Sequence, residues 1–265
     1  MADRVSSTEN FGEYAARKEV KRYYQEERIC SAEDAYLIGY MACDGSYVEN
    51  RGYPFMGVNS KNYEILEGFR NLYCPDNTIY FVGKKSSKKV KAVSDVWELR
   101  FPPKMRVMWN NHGIFSKKLS RRVVGIRKEY FYSYFAGVID SDGFVSVTHR
   151  RDTRTPRLRV FITHQSEKFL ADLQNRLEVN STLRQHGDNV FRLQLQNTEQ
   201  NKPFLSKILP YIRDKQRGKI LKDYLYKYYD VPQASGELLE AKVISSQATD
   251  TSVEGSETTG ELECS

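Results

Sequence analysis

Apolar and polar positions along the chain fall into one pattern that occurs twice. Leu37-Ile38-Gly39-Tyr40-Met41-Ala42-Cys43-Asp44-Gly45 and Phe135-Ala136-Gly137-Val138-Ile139-Asp140-Ser141-Asp142-Gly143 are apolar runs 98 residues apart. Each holds a glycine, then a small residue four positions later (Cys43, Ser141), and each closes on Asp-Gly before strand-like alternation begins. Residues at i and i+4 share one helix face, so Gly39 with Cys43 and Gly137 with Ser141 give two faces without bulk. Two such helices can pack backbone to backbone and present their terminal Asp44 and Asp142 at the same end. Gly45 and Gly143 are expected in the left-handed position just past a helix. One copy alone would pass for a buried helix ending in a turn. Two copies, each followed by matching patterns, indicate a duplicated half-domain.

The rest of the chain fits that duplication. Ser31 with Asp34 resembles a capping box at the start of the first motif helix. Strands are expected over Ser46–Asn50 and Tyr53–Asn59, a helix over Asn62–Tyr73, and strands over Thr78–Val82 and Val96–Phe101. The basic run Lys84, Lys85, Lys88, Lys89 and Lys91 is expected to join the last two strands, and a helix follows near Met105–Trp109. After a basic linker the order repeats: helix Tyr130–Ser141, strands Phe144–His149 and Arg157–His164, helix Glu167–Leu177, strands Ser181–Arg184 and Val190–Gln196, helices Lys202–Ile212 and Gln216–Tyr229. The fold class is therefore α+β, two αββαββα halves. Their domains are a 1–30 extension with a charged helix over Glu13–Ile29, a first half over 31–119, a linker over 120–129, a second half over 130–230, and a tail over 231–265.

The two motifs resemble the paired signatures of single-chain LAGLIDADG homing endonucleases. FAGVIDSDG is the closer match, and LIGYMACDG departs from the family pattern in having Ala42 where an Asp is common; the resemblance spans about residues 31–229. It implies pseudo-twofold half-domains whose antiparallel sheets form a DNA-binding saddle. It also implies a monomeric, metal-dependent endonuclease that cuts both strands of a long, pseudo-palindromic site. Asp44 and Asp142 would be the metal-binding pair, with Gly143 and Cys43 beside them, and Mg²⁺, or Mn²⁺ as a substitute, the cation. A basic residue from each half would lie near the scissile phosphate: Lys215 in one, and Lys118 in the other, with the adjacent Lys117 competing. A polar residue ending the second strand would orient water, His164 or Gln165 in one half and Ser60 or Lys61 in the other. On the same scaffold, an intron RNA maturase or a cleavage-inactive nucleic-acid-binding protein is the alternative.

The strands by themselves point to nucleic acid. In Arg157–His164, Leu158, Val160 and Ile162 alternate with Arg157, Arg159, Phe161 and Thr163. Phe191, Leu193 and Leu195 likewise oppose Arg192, Gln194 and Gln196, and Val145 and Val147 oppose Ser146, Thr148 and Arg150. One face suits a core, while the other carries side chains that grip phosphates and read base edges. A merely solvated face would mix Lys, Glu and Thr, and here only Glu98 interrupts the pattern. Lys61, Lys84 and Lys85 join the expected DNA contacts.

Charge strengthens the reading. The chain carries 41 Lys+Arg and 34 Asp+Glu, a net +7. Seven of the acids but only Lys242 lie beyond Val231, which leaves residues 1–231 at +13. Such a surplus suits a polyanion, double-stranded DNA before intron RNA. The Ser/Thr/Gly/Glu-rich tail has little to bury and is expected to be disordered and dispensable. Four cysteines without a CxxC or zinc spacing read as reduced. With no membrane-length apolar run and no secretory signal, the expected setting is intracellular, acting on phage, bacterial or organellar DNA without a membrane or protein partner.

Overall fold

The computed structural model describes residues 29, 31–50, 53–87, 90–114, 117–148, 156–196 and 201–228. The N-terminal extension and the acidic tail, with the expectations attached to them, lie outside the described residues.

Two copies of one arrangement make up the fold. In the first, α1 (Ala32–Asp44) runs directly into β1 (Gly45–Asn50) and β2 (Tyr53–Ser60). Then come α2 (Tyr63–Tyr73), β3 (Ile79–Ser87), β4 (Val90–Arg100) and α3 (Arg106–Asn111). In the second, α4 (Phe131–Asp142) leads into β5 (Gly143–Thr148) and β6 (Arg157–His164). There follow α5 (Glu167–Arg176), β7 (Ser181–Gly187), β8 (Val190–Leu195), α6 (Lys202–Ile208) and α7 (Lys215–Tyr228). Each half has a four-stranded antiparallel sheet, of order β1-β2-β4-β3 or β5-β6-β8-β7.

The duplication extends to the register. A row of partners runs Gly45, Val58, Leu99, Ile79 across the first sheet. The matching row of the second runs Gly143, Ile162, Leu193, Leu183, starting from the other motif glycine. Val58, Leu99, Ile162 and Leu193 are buried, so both rows face the core beneath the helices. Because the side-chain period of a strand is two, the adjacent rows in each sheet face outward.

The motif helices pack against each other over their whole length, as the small faces predict. A Cβ on Gly39 would fall well inside contact distance of the Tyr134 carbonyl, and one on Gly137 inside that of Tyr36. Ser133 Oγ donates to Ala32 O at 2.5 Å across the same seam. The Ser31 cap holds, its Oγ accepting from Asp34 N at 3.0 Å.

Two expectations change. Gly45 and Gly143 are not left-handed: their φ, ψ are −61°, 138° and −78°, 151°. The chain passes from the last helical turn straight into an extended strand, so no reversal is needed. Glycine is required for space instead, since a Cβ there would press on the Met41 or Ile139 carbonyl. Second, β3 and β4 are longer than their apolar cores. Lys84 and Lys85 pair with Asp95 and Ser94 in the ladder, so the basic run lies largely in strands and not in a loop. Main-chain pairing does not need apolar side chains, and alternation understates a strand that extends beyond its core. No helix among the described residues is long and apolar enough to cross a membrane.

Candidate active site and nucleic-acid face

Asp44 and Asp142 end α1 and α4, and the pairing of those helices brings their carboxylates into each other's field. Burial first, and then the Asp142 charge, push the Asp44 carboxyl up to about 7. Burial also raises Asp142. Lys118, Arg121 and Arg217 oppose the rise at both residues. A carboxylate at a helix C-terminus also opposes the helix dipole, and neither helix has a basic residue in its last turn.

Two arginines from elsewhere in the chain supply what the helices lack. Arg121, fully buried, donates from Nη1 to the carbonyls of Ala42 at 2.6 Å and Cys43 at 3.0 Å, and from Nη2 to Gly45. Arg217 donates from Nη1 to the Asp140 carbonyl at 2.8 Å and from Nη2 to Gly143 at 2.9 Å. Ala42 and Gly45 correspond to Asp140 and Gly143 in the repeat, so each guanidinium forks over the same pair of positions. These carbonyls lie where a helix ends and intrahelical donors run out, and a planar fork of N–H groups matches them. Sequence reading missed both residues. The signal was a repeated spacing, since Arg121 lies 76 residues after Gly45 and Arg217 lies 74 after Gly143.

The expected basic pair divides. Lys118 opens a short 3₁₀ turn at Lys118–Ser120, exposed, and its charge acts on both Asp44 and Asp142. Lys215 opens α7 and ion-pairs with Glu64 at 2.6 Å on an exposed surface. Arg217, two residues further along α7, opposes the rise at both carboxylates. Gly143 O and Cys43 O each already accept a guanidinium N–H.

His164 is on the core face of β6. It is buried, its ring packs on Phe169, and its Nδ1 accepts from Ser166 N at 2.9 Å. Burial and the nearby Arg121 and Lys118 charges lower it to about 4, so it is neutral near pH 7. Ser60 has the equivalent role in the first half, accepting from Asn62 N at 2.9 Å and sharing a hydrogen bond with Tyr40 Oη at 2.8 Å. Both residues close a strand-to-helix turn, which leaves the exposed Gln165 and Lys61 as the polar groups at those strand ends.

A further asymmetry sits at the seam. Asp140 is buried and accepts from Tyr36 Oη at 2.6 Å and from the main-chain N–H of Arg213 at 2.6 Å and Asp214 at 3.1 Å. It thereby ties the segment before α7 to α4. The repeat has Ala42 at this position, and Arg121 does the tying there.

The outward sheet faces are as expected in the second half. Arg157, Arg159, Phe161 and Thr163 of β6 alternate with buried residues, and Ser146, Thr148, Arg192, Gln194 and Gln196 keep contact with solvent. Arg184, not anticipated, lies opposite Arg192 and donates to Gln194 Oε1 at 3.2 Å. In the first half Glu98 is engaged by Arg100 at 2.7 Å. Arg150 and the side chains of Lys84 and Lys85 are outside the described residues.

Residues 129–209 match the family described as a LAGLIDADG-like domain. The fold matches the homing endonuclease I-WcaI bound to its DNA recognition sequence, at 14% identity and TM-score 0.50, over 78% of this chain and 93% of that one. It also matches the LAGLIDADG meganuclease I-AabMI bound to uncleaved DNA, at 13% identity and TM-score 0.50, over 80% and 92%. Residues 129–209 therefore carry a LAGLIDADG-like domain, and the fold of the whole is that of the two matched structures. No curated protein matches the chain. The matched domain contains α4 with its Asp142-Gly143, and the sheet register shows that the half opening on α1 with its Asp44-Gly45 repeats the same arrangement.

As a cation site, the motif ends offer hard oxygen donors and an electrostatic need. Two half-buried carboxylates repel, and a dication between them would convert that repulsion to binding. Among the described residues no third His, Cys, Asp or Glu joins them, so water and phosphate oxygens would complete the shell, which suits Mg²⁺.

The guanidinium forks can be tested directly. Arg217→Lys keeps the charge but cannot span two carbonyls. It is expected to cost about 1.5–3 kcal/mol, seen as a lowered denaturant midpoint at unchanged slope. A midpoint equal to that of the unmodified chain would show that the fork does not hold the helix end.

Proposed function

We propose that this protein is a site-specific DNA endonuclease that acts as a monomer and makes a divalent-metal-dependent double-strand break in a long, pseudo-palindromic target. The supporting observation is the placement of Asp44 and Asp142 at one end of a seam flanked by two sheets in matching register. A cation that both carboxylates hold would activate water and stabilise the leaving oxygen of a phosphodiester. Lys118 would neutralise charge at the phosphate, with Arg217 as its counterpart by position. Arg121 and Arg217 keep the two Asp main chains in place, and Gln165 and Lys61 are the exposed groups able to hold water. The sheet faces grip phosphates and read base edges, and the unequal halves imply unequal cutting of the two strands.

The test is to incubate the full chain and Mg²⁺ with DNA flanking its own gene, with and without the intervening sequence, and with a randomised duplex library. Cutting at one uninterrupted site is expected, with Ca²⁺ or chelator leaving binding but little cleavage. Binding to folded intron RNA in preference to every duplex would overturn this reading in favour of a maturase.

A further inference from the structure

The second sheet has a stacked aromatic pair on the two strands next to its motif, whereas the exposed aromatics of the first sheet, Tyr80 and Phe81, lie on β3 at the far edge. Phe144 follows Gly143 directly and is 46% exposed. It is paired with Phe161 in the β5–β6 ladder, and the two rings stack with centroids 4.7 Å apart and planes 23° from parallel. The Arg192 guanidinium lies over the Phe161 ring, 4.2 Å from its centroid, and contacts His186 through Nη2. The equivalent ladder positions of the first sheet hold Ser46 and Gly57, and Ser46 Oγ donates to the Gly57 carbonyl at 3.3 Å. One half therefore raises an aromatic ridge beside its motif, where the other has a polar notch.

Two stacked phenyl rings on a face that also carries Arg159, Arg184 and Arg192 need a partner that is polyanionic overall and apolar at one point. Duplex DNA is such a partner, because in its major groove the 5-methyl of thymine is the apolar group on an otherwise polar set of base edges. A solvated face would not place two phenyl rings at Phe144 and Phe161; the first sheet has the hydroxyl of Ser46 opposite Gly57, which has no side chain. Two residues of strand separate Phe144 from Asp142, about 7 Å at strand rise. That reach places the ridge over the inner base pairs of its half-site. Resting on the DNA-cleaving reading above, we propose that the Phe144–Phe161 ridge, steadied by Arg192, recognises thymine methyl groups at the inner positions of the half-site read by the second sheet. The half-site under the first sheet would lack this requirement.

The test uses the full chain and the duplex it selects from a randomised library in Ca²⁺. Each thymine is replaced singly by uracil, which removes only the methyl group, and equilibrium binding is measured. Substitution at one or two adjacent inner positions of a single half-site is expected to weaken binding about three- to tenfold, the scale of one buried methyl. Phe144→Ser should abolish sensitivity at those positions and leave the rest of the profile unchanged. Phe161→Leu, which keeps an apolar surface, should retain part of it and guards against a Phe144 variant that folds poorly. If uracil is tolerated throughout that half-site, or the selected sequence has no thymine there, the ridge proposal fails while specific binding stands. Failure to select any duplex would instead sink the DNA reading and the ridge with it.

Discussion

Asn in place of Asp142 or Asp44 should abolish Mg²⁺-dependent cutting, with a loss on the order of a thousandfold, while leaving DNA binding nearly intact. The two carboxylates are the acidic pair that the motif helices bring together, and in the proposed function phosphate and base contacts come from the sheets. Asparagine keeps the shape and one carbonyl oxygen but removes a charge that a cation site needs. Metal-free stability should move the other way. Asp44 titrates near 7 in the folded chain because burial and the Asp142 charge disfavour its ionised form. Its folded value lies above its unfolded value of 3.8, so the folded state holds the proton more tightly between about pH 4 and 7. Stability therefore falls as pH rises through that window, by an amount on the order of a few kcal/mol for a group this shielded. Asp44→Asn should remove that fall. In chelator its melting temperature should exceed that of the unmodified chain at pH 8, and the difference should shrink as pH falls towards 4. Unchanged cutting by either variant would refute the metal-pair mechanism, and an unchanged pH profile of melting would refute the electrostatic account of Asp44.

The second large effect belongs to the seam. Gly39→Ala or Gly137→Ala adds a single methyl group where the facing helix places a main-chain carbonyl, of Tyr134 or Tyr36. A side chain could rotate away, but a helix backbone cannot without parting α1 from α4. That movement would also separate Asp44 from Asp142 and disturb the buried Tyr36–Asp140 hydrogen bond. A loss of roughly 3 kcal/mol or more is expected, with cutting reduced further than stability alone would explain. Gly68→Ala is the control: it is also helical, and the nearest atom to its added methyl would be the flexible Arg213 guanidinium at 3.8 Å. Chemical denaturation of the three variants would decide. Equal midpoints for Gly39→Ala and Gly68→Ala would show that the seam is not closely packed.

Much of this architecture was legible in the chain. Repetition of the motif, and of the helix and strand periods after it, was enough to establish two α+β halves and the seam between them. Small residues at i and i+4 state how close two helices can come, and Asp44 and Asp142 at matched places follow from that closeness. Alternation in Arg157–His164 assigned its faces correctly, because a strand buried on one side must alternate.

Tertiary structure decided the remainder. Lys118 lies in the field of both carboxylates; it opens the 3₁₀ turn while Lys117 precedes it in extended backbone, a difference that local pattern does not specify. Lys215, expected from the family resemblance, ion-pairs with Glu64, and Arg217 two residues on reaches the carbonyls of Asp140 and Gly143. His164 or Gln165 was expected by resemblance at the end of β6; His164 shares the parity of the core-facing Leu158, Val160 and Ile162 and is buried, and Gln165 is exposed. Arg121 looked like part of a basic linker, but it is buried because the end of α1, far away in sequence, leaves carbonyls that need donors. The chain by itself determined the repeats, the faces and the two carboxylates, all of which depend on near neighbours and period. Which cations meet those carboxylates depends on contacts between segments separated in the chain, and only the folded packing of both halves specifies them.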